Sequence, residues 1–208
     1  MSGRGQFIAL EGVDGSGKST HARGLASAVG ALSTSEPGST ALGAKLRSLL
    51  LDGDSPPVSV RAEALLVAAD RAQHVDEVVL PTLEAGRWVV TERFSGSTLA
   101  YQGYGRGLDL AELKGLVSWA AGGLEPDLTV LIDVPVALAR ARMGGGDPDR
   151  LERLDAAFHQ RVRDGYLALA AADPRWVVVD GTGATPAVAA DLLAAVTQRL
   201  GPLPTVPS

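Results

Sequence analysis

The first residues in this chain with a chemistry to offer are glycines, a lysine and a hydroxyl at fixed spacing. Gly12-Val13-Asp14-Gly15-Ser16-Gly17-Lys18-Ser19 reads glycine, four residues, glycine, lysine, serine. Glycines let backbone N–H groups turn inward around phosphate oxygens, and a helix beginning at the lysine would add its partial positive charge. Lys18 can then reach β- and γ-phosphates, and Ser19 can ligate Mg²⁺. A glycine-rich turn that merely precedes a lysine is the alternative. The chain has only three lysines, however, and this one falls where the pattern requires it. The segment from Gly12 to Thr20 is thus a candidate ATP or GTP site, with the phosphoryl acceptor left open.

Arginines supply the other anion chemistry. Arg93 directly follows the apolar run Trp88-Val89-Val90-Thr91 and then Glu92, a placement hard to explain as solvated surface, and its fork suits a phosphate; Arg47 is a weaker second candidate. Val67, Arg71 and His74 fall at i, i+4 and i+7 on one helical face, where Arg71 could offer donors to the carbonyl edge of a pyrimidine or simply pair with Asp70 or Glu63. Arg140, Arg142, Arg150 and Arg153 bracket Met143-Gly144-Gly145-Gly146-Asp147-Pro148, a stretch at about 140–153 that could close over a nucleotide as a lid. A charged helix start, with Asp149 and Glu152 as partners, is the plainer reading of any one of them. His21, His74 and His159 are scattered without metal or triad spacing.

These residues need a scaffold, and the hydrophobic pattern describes one. Phe7-Ile8-Ala9-Leu10, Trp88–Thr91, Leu128–Asp133 and Trp176–Asp180 are short continuous apolar runs, as expected of strands buried on both faces, and Ser33-Thr34-Ser35 is a candidate abbreviated strand. Helical segments are expected near 40–51, 60–85, 109–121, 135–142, 151–172 and 186–200, beside the one that starts at Lys18. Such alternation predicts an α/β fold, a parallel β-sheet wrapped by helices on both faces, with ligands at the strands' C-terminal ends. Glu11, Glu92-Arg93 and Asp133 should gather along that rim.

The 208 residues fit one domain, 1–208, with a frayed tail at 201–208, and the 46% hydrophobic content suffices for one core. The absence of cysteine excludes disulfides and thiolate chemistry and agrees with a cytoplasmic setting. No export signal or membrane-length apolar run is visible. A net charge of −5 argues against a broad nucleic-acid surface, so anionic small molecules must be held by local basic clusters.

Read together, Glu11–Thr20, Glu36-Pro37-Gly38, Ala68-Ala69-Asp70-Arg71-Ala72-Gln73-His74, Ala100-Tyr101-Gln102-Gly103 and Asp149-Arg150 resemble the thymidylate kinases, from Phe7 to about Leu200. The resemblance implies the P-loop nucleotide-kinase fold, a homodimer, Mg²⁺, and transfer of the γ-phosphoryl group of ATP to dTMP. It places Lys18, Arg93, Asp14, Arg142 and Arg150 in catalysis, with Ser19 and Glu92 at the metal. For the dTMP site it implies Asp14, Glu36, Arg47, Val67, Arg71, Arg93, Thr98, Tyr101 and Gln102, with the Tyr101 ring standing where a ribose 2′-OH would sit. Plain packing of that ring against the sheet is the alternative. The phosphate loop carries no arginine, which is similar to the family members whose catalytic arginines lie in the lid.

Three departures stand out. Glu92-Arg93-Phe94 replaces Asp-Arg-Tyr, Val67 replaces the phenylalanine that stacks on thymine, and Thr34-Ser35-Glu36-Pro37-Gly38-Ser39 lacks an arginine of Thr-Arg-Glu-Pro-Gly-Gly. They leave two rivals: a kinase with another acceptor, such as a deoxynucleoside, and a nucleotide-binding paralogue without turnover.

Overall fold

The computed structural model describes residues 3–143 and 149–203. Among these, β1 (Phe7–Glu11), β2 (Leu32–Ser35), β3 (Val89–Glu92), β4 (Leu128–Asp133) and β5 (Trp176–Asp180) form one all-parallel sheet in the order β2-β3-β1-β4-β5. The central strand is buried along its whole length. Its alternation serves two cores: Ile8 and Leu10 face one side, Phe7 and Ala9 the other. The short segment at 32–35 is a strand, and its register sets Ser35 beside Glu92. The strand expected from Trp88 begins one residue later and therefore runs through Glu92.

Helices α1 (Lys18–Val29) and α9 (Thr185–Leu200) pack together, while α2 (Ala41–Leu51), α3 (Val60–His74) and α6 (Leu110–Ala120) form another layer. The helix expected over 60–85 is not uniform. After α3 the chain widens into a π turn at Val75–Val79 before α4 (Leu80–Glu84). Pro81 accounts for this: it has no N–H to give, its ring would crowd the carbonyl four residues back, and a wider turn relieves both. A short α5 (Ser95–Thr98) runs into a second π segment, Leu99–Gly105.

Helix α7 (Val136–Arg142) follows β4. The helix expected from 151 starts instead as α8 (Ala156–Ala172), because the Asp155 side chain accepts from Phe158 N at 2.7 Å and caps it there. At the C-terminus Leu203 packs against the core, so the expected tail is docked as far as that residue. The rest of the tail, 204–208, and the glycine-rich part of the expected lid, 144–148, lie outside the described residues.

Candidate active site

Parallel strands deliver their C-terminal ends to one rim, and there β1 turns into the phosphate loop. Gly12 has φ +150°, and a Cβ there would sit 2.6 Å from the Ile132 carbonyl oxygen, so the loop closes on β4 only with glycine. Gly17, at φ 91°, starts α1 without any side-chain cap, which leaves the helix's first N–H groups open to an anion. Lys18 lies back along the loop, with Nζ 2.8 Å from the Val13 carbonyl oxygen and 4.0 Å from Asp14. Burial, and then the Arg93 charge, lower its pKa to about 8.

Arg93 is the hub of the rim. Its φ of 68° is a left-handed conformation that a non-glycine residue rarely adopts, and it aims the side chain back over the loop. The guanidinium pairs with Asp14, donates to Ser97 Oγ at 3.0 Å and to the Tyr166 hydroxyl at 3.3 Å, and lies 5.1 Å over the Tyr101 ring. The Tyr101 hydroxyl donates to Asp14 at 2.6 Å. Burial alone would raise the Asp14 pKa, but Arg93 and Lys18 outweigh it and hold the carboxyl at about 2. Beneath this group lies Glu11, fully buried, accepting from Phe94 N, Ser97 N and Oγ, and the Tyr166 hydroxyl. Its pKa is raised by burial against the pull of Ser97.

A second cluster rises from α3. Arg71 is completely buried; its Nε donates to Glu36 at 2.9 Å and its guanidinium stacks on Phe94, while Nη1 has no hydrogen-bond partner. The same Glu36 carboxylate is 2.9 Å from His74 Nδ1, and His74 Nε2 is 2.7 Å from Thr34 Oγ1. The alternative of a surface salt bridge to Asp70 or Glu63 is thereby overturned: the partner is Glu36, brought by the β2–α2 loop. Asp70 instead accepts from Gly38 N at 3.0 Å.

A cavity of about 970 Å³ joins these groups. Asp14, Gly15, Ser16, Gly17, Lys18, Ser19 and Thr20 line one end; Glu36, Arg47, Val67, Arg71, Glu92, Arg93, Thr98, Tyr101 and Gln102 line much of the remainder, and Arg142 lines it too. Gly12 and Val13 shape the loop from behind as buried residues. Arg47 is tied by Nη1 to the Pro37 carbonyl, and Arg142 donates to the carbonyls of Gly181 and Thr182 at 2.8 and 3.0 Å.

Arg150, expected from the lid, and Asp133, expected on the rim, do not line the cavity. Arg150 Nη2 donates to the carbonyls of Ser55 and Pro56, because the segment that begins at Asp149 docks on the α2–α3 connection. Asp133 stands at its strand end but turns away into a two-point pair with Arg163 of α8. Sequence reasoning missed Tyr166 and Ser97 as partners of Arg93, and it missed the wall formed by Gly181, Gly183, Ala184 and Thr185. Nothing local marks these. Glu63, which also lines the cavity, was visible in principle, since it precedes Val67 and Arg71 by four and eight residues on the same helical face.

Comparison with known proteins follows the same lines. The family model described as thymidylate kinase matches residues 10–192. A thymidylate kinase of Carboxydothermus hydrogenoformans is 53% identical over 184 residues, covering 86% of this chain and 90% of that protein. One from a Synechococcus strain is 50% identical over 207 residues, covering 96% and 97%. One from Cupriavidus necator is 47% identical over 188 residues, covering 86% and 91%. With a phosphate loop, Arg93 and the Arg71 cluster facing one cavity, and with these matches along nearly its whole length, the chain belongs to the thymidylate kinase family.

Proposed function

We propose that this protein transfers the γ-phosphoryl group of Mg-ATP to dTMP, giving dTDP and ADP. The observation that carries the reading is the shared cavity: the phosphate loop, the Arg93 hub and the buried Arg71 all open onto it. The triphosphate lies along the loop amides and the α1 N-terminus, where its oxygens replace the Val13 carbonyl as the partner of Lys18. Arg142, on the cavity wall beside residues 181–185, suits the nucleoside end of the donor. The acceptor places its base between Val67, Arg71, Thr98 and Gln102, its sugar against Tyr101, and its phosphate at Arg93, with Glu36 holding Arg71 and Arg47 near the entrance.

Mg²⁺ is ordinarily held through one or two carboxylates together with waters and substrate phosphates, and the Ser19 hydroxyl and the Glu92 carboxylate on the cavity wall fit that requirement. When bound, it draws charge from the transferring phosphoryl group. No general base is required, because a nucleotide monophosphate has a second pKa of about 6 and its attacking oxygen is already ionised at neutral pH. The protein's work is to align two anions and screen their repulsion, with Lys18 and Arg93 nearest the reacting oxygens. Asp14 keeps Arg93 aimed. Arg150 contributes from the segment that begins at Asp149 only if nucleotide binding draws it off the Ser55 and Pro56 carbonyls.

A cytoplasmic homodimer completes the reading. No described helix is long and apolar enough to cross a membrane, and exposed Leu65 on α3 and Trp119 on α6, two helices packed together, support the homodimer reading by offering apolar surface to a second copy. Sedimentation at micromolar concentration tests the dimer. Coupled ADP release tests the activity, with dTMP, dUMP, CMP, AMP and thymidine offered in parallel. Release driven by dTMP and abolished in Lys18→Ala is expected. Release driven by thymidine, or ATP binding without turnover, overturns the assignment.

A further inference from the structure

Gln102 brings to the cavity an amide whose two ends are chemically opposite, and a neighbouring carboxylate decides which end the cavity sees. The side chain is nearly fully buried, and its Nε2 donates to Glu63 Oε1 at 2.9 Å. Arg106 donates to the same carboxylate through Nε at 3.2 Å and Nη2 at 2.8 Å. A carboxylate paired in this way has only acceptors to offer, so the amide NH₂ of Gln102 must face Glu63 and its carbonyl Oε1 must face away. Arg106, itself 5.3 Å over the Phe158 ring, offsets the cost of burying the Glu63 charge.

Farther along the same helical face, Arg71 holds a buried Nη1 that has no hydrogen-bond partner. This end of the cavity therefore combines a donor from Arg71 with an acceptor from Gln102. That pair complements a carbonyl beside a ring N–H, the imide edge of thymine or uracil. It opposes cytosine, which presents an amino group beside a bare ring nitrogen. A rotated Gln102 amide would reverse its half of the pattern, relieving cytosine at the ring nitrogen while opposing the ring N–H of thymine.

We propose that Glu63 is the positioning residue for base selectivity: by accepting from Gln102 it holds the amide in the one orientation that admits an imide base and turns cytosine away. The proposal rests on the kinase reading above and adds the residue that enforces its base choice.

The test is steady-state phosphorylation of dTMP and dCMP by the full chain, by Glu63→Gln and by Glu63→Asp. A glutamine at 63 can donate as well as accept, which frees the Gln102 amide to rotate. In Glu63→Gln the KM for dTMP rises about tenfold, kcat falls less than about threefold, and the dTMP-to-dCMP ratio of kcat/KM narrows by about tenfold or more. Glu63→Asp, still a pure acceptor, keeps the parent ratio even where KM rises. Should Glu63→Gln fail to fold, Glu63→Gln/Arg106→Gln carries the same expectation without an unpaired guanidinium. An unchanged ratio in the glutamine variant, or equal narrowing in the aspartate variant, overturns the proposal and leaves the kinase reading intact. A parent chain that phosphorylates neither nucleotide sinks both.

Discussion

The two ends of the cavity are built from different materials. At the phosphate-loop end, apart from the Arg93 and Tyr101 contacts to Asp14, side chains rest on the main chain: Lys18 on the Val13 carbonyl and Arg142 on the carbonyls of Gly181 and Thr182, while the α1 N-terminus carries no side-chain cap. At the α3 end, side chains hold side chains. Glu36 binds Arg71 and His74, Glu63 binds Gln102 and Arg106, and these carboxylates are buried together with all of their partners except the part-exposed Arg106. A triphosphate is recognised by repeated oxygens that any backbone N–H can meet, so that end needs shape more than residue identity. A base is recognised by the order of donors and acceptors on one edge, which demands particular side chains in fixed orientations. Substitutions at the first end should therefore move kcat, and those at the second end KM and selectivity.

Lys18→Ala is the strongest way to break this contrast. It removes the one charged side chain that the loop brings to the transferring phosphates, so kcat should fall by about 10³ or more with the KM for dTMP within a few-fold of the parent. A large rise in the KM for dTMP would mean that the two ends are not separable. Val67→Phe sharpens the other side. Restoring an aromatic face beside the base adds ~1–3 kcal/mol of stacking, roughly 5- to 100-fold in affinity, so the KM for dTMP should drop by that order with kcat little changed. No improvement would show that something other than Val67 limits base binding.

The smallest expected effect is on stability. Asp70 accepts from Gly38 N, yet its Oδ2 is buried without a partner, and burial together with the Glu36 charge raises its pKa to about 6. A raised carboxyl contributes stability that is fully present below its unfolded value of about 4 and is lost as pH rises through about 6. Asp70→Asn escapes that loss. The gain in Tm over the parent should accordingly be larger at pH 8 than at pH 5, by a few degrees in thermal melts. Equal shifts at both pH values would remove the charge-burial account of this end.

How much of this was legible in the chain varies with the range of the interaction. The loop at 12–19, the strand runs and Arg93 behind the Trp88 run all follow from local pattern, and each lies where that pattern predicts, within a residue or two. Helical spacing correctly set Val67 and Arg71 on one face, and both line the cavity. The partner of Arg71 was not legible, because Glu36 is 35 residues away and arrives on a different loop. Tyr166 meets Glu11 across 155 residues. Arg150 and Asp133 have the residue type expected at the site, but nearby carbonyls and Arg163 compete for them.

By itself, then, the sequence determined the fold class, the phosphate loop and the placing of Arg93 behind a strand and of Val67 and Arg71 on one helical face, because each depends on backbone conformation and periodicity over a few turns of chain. Which arginines face the cavity, which carboxylates hold them and which end of Gln102 is presented were decided by tertiary packing. A hydrogen bond needs its partner within about 3 Å, and only the folded chain brings such distant residues that close.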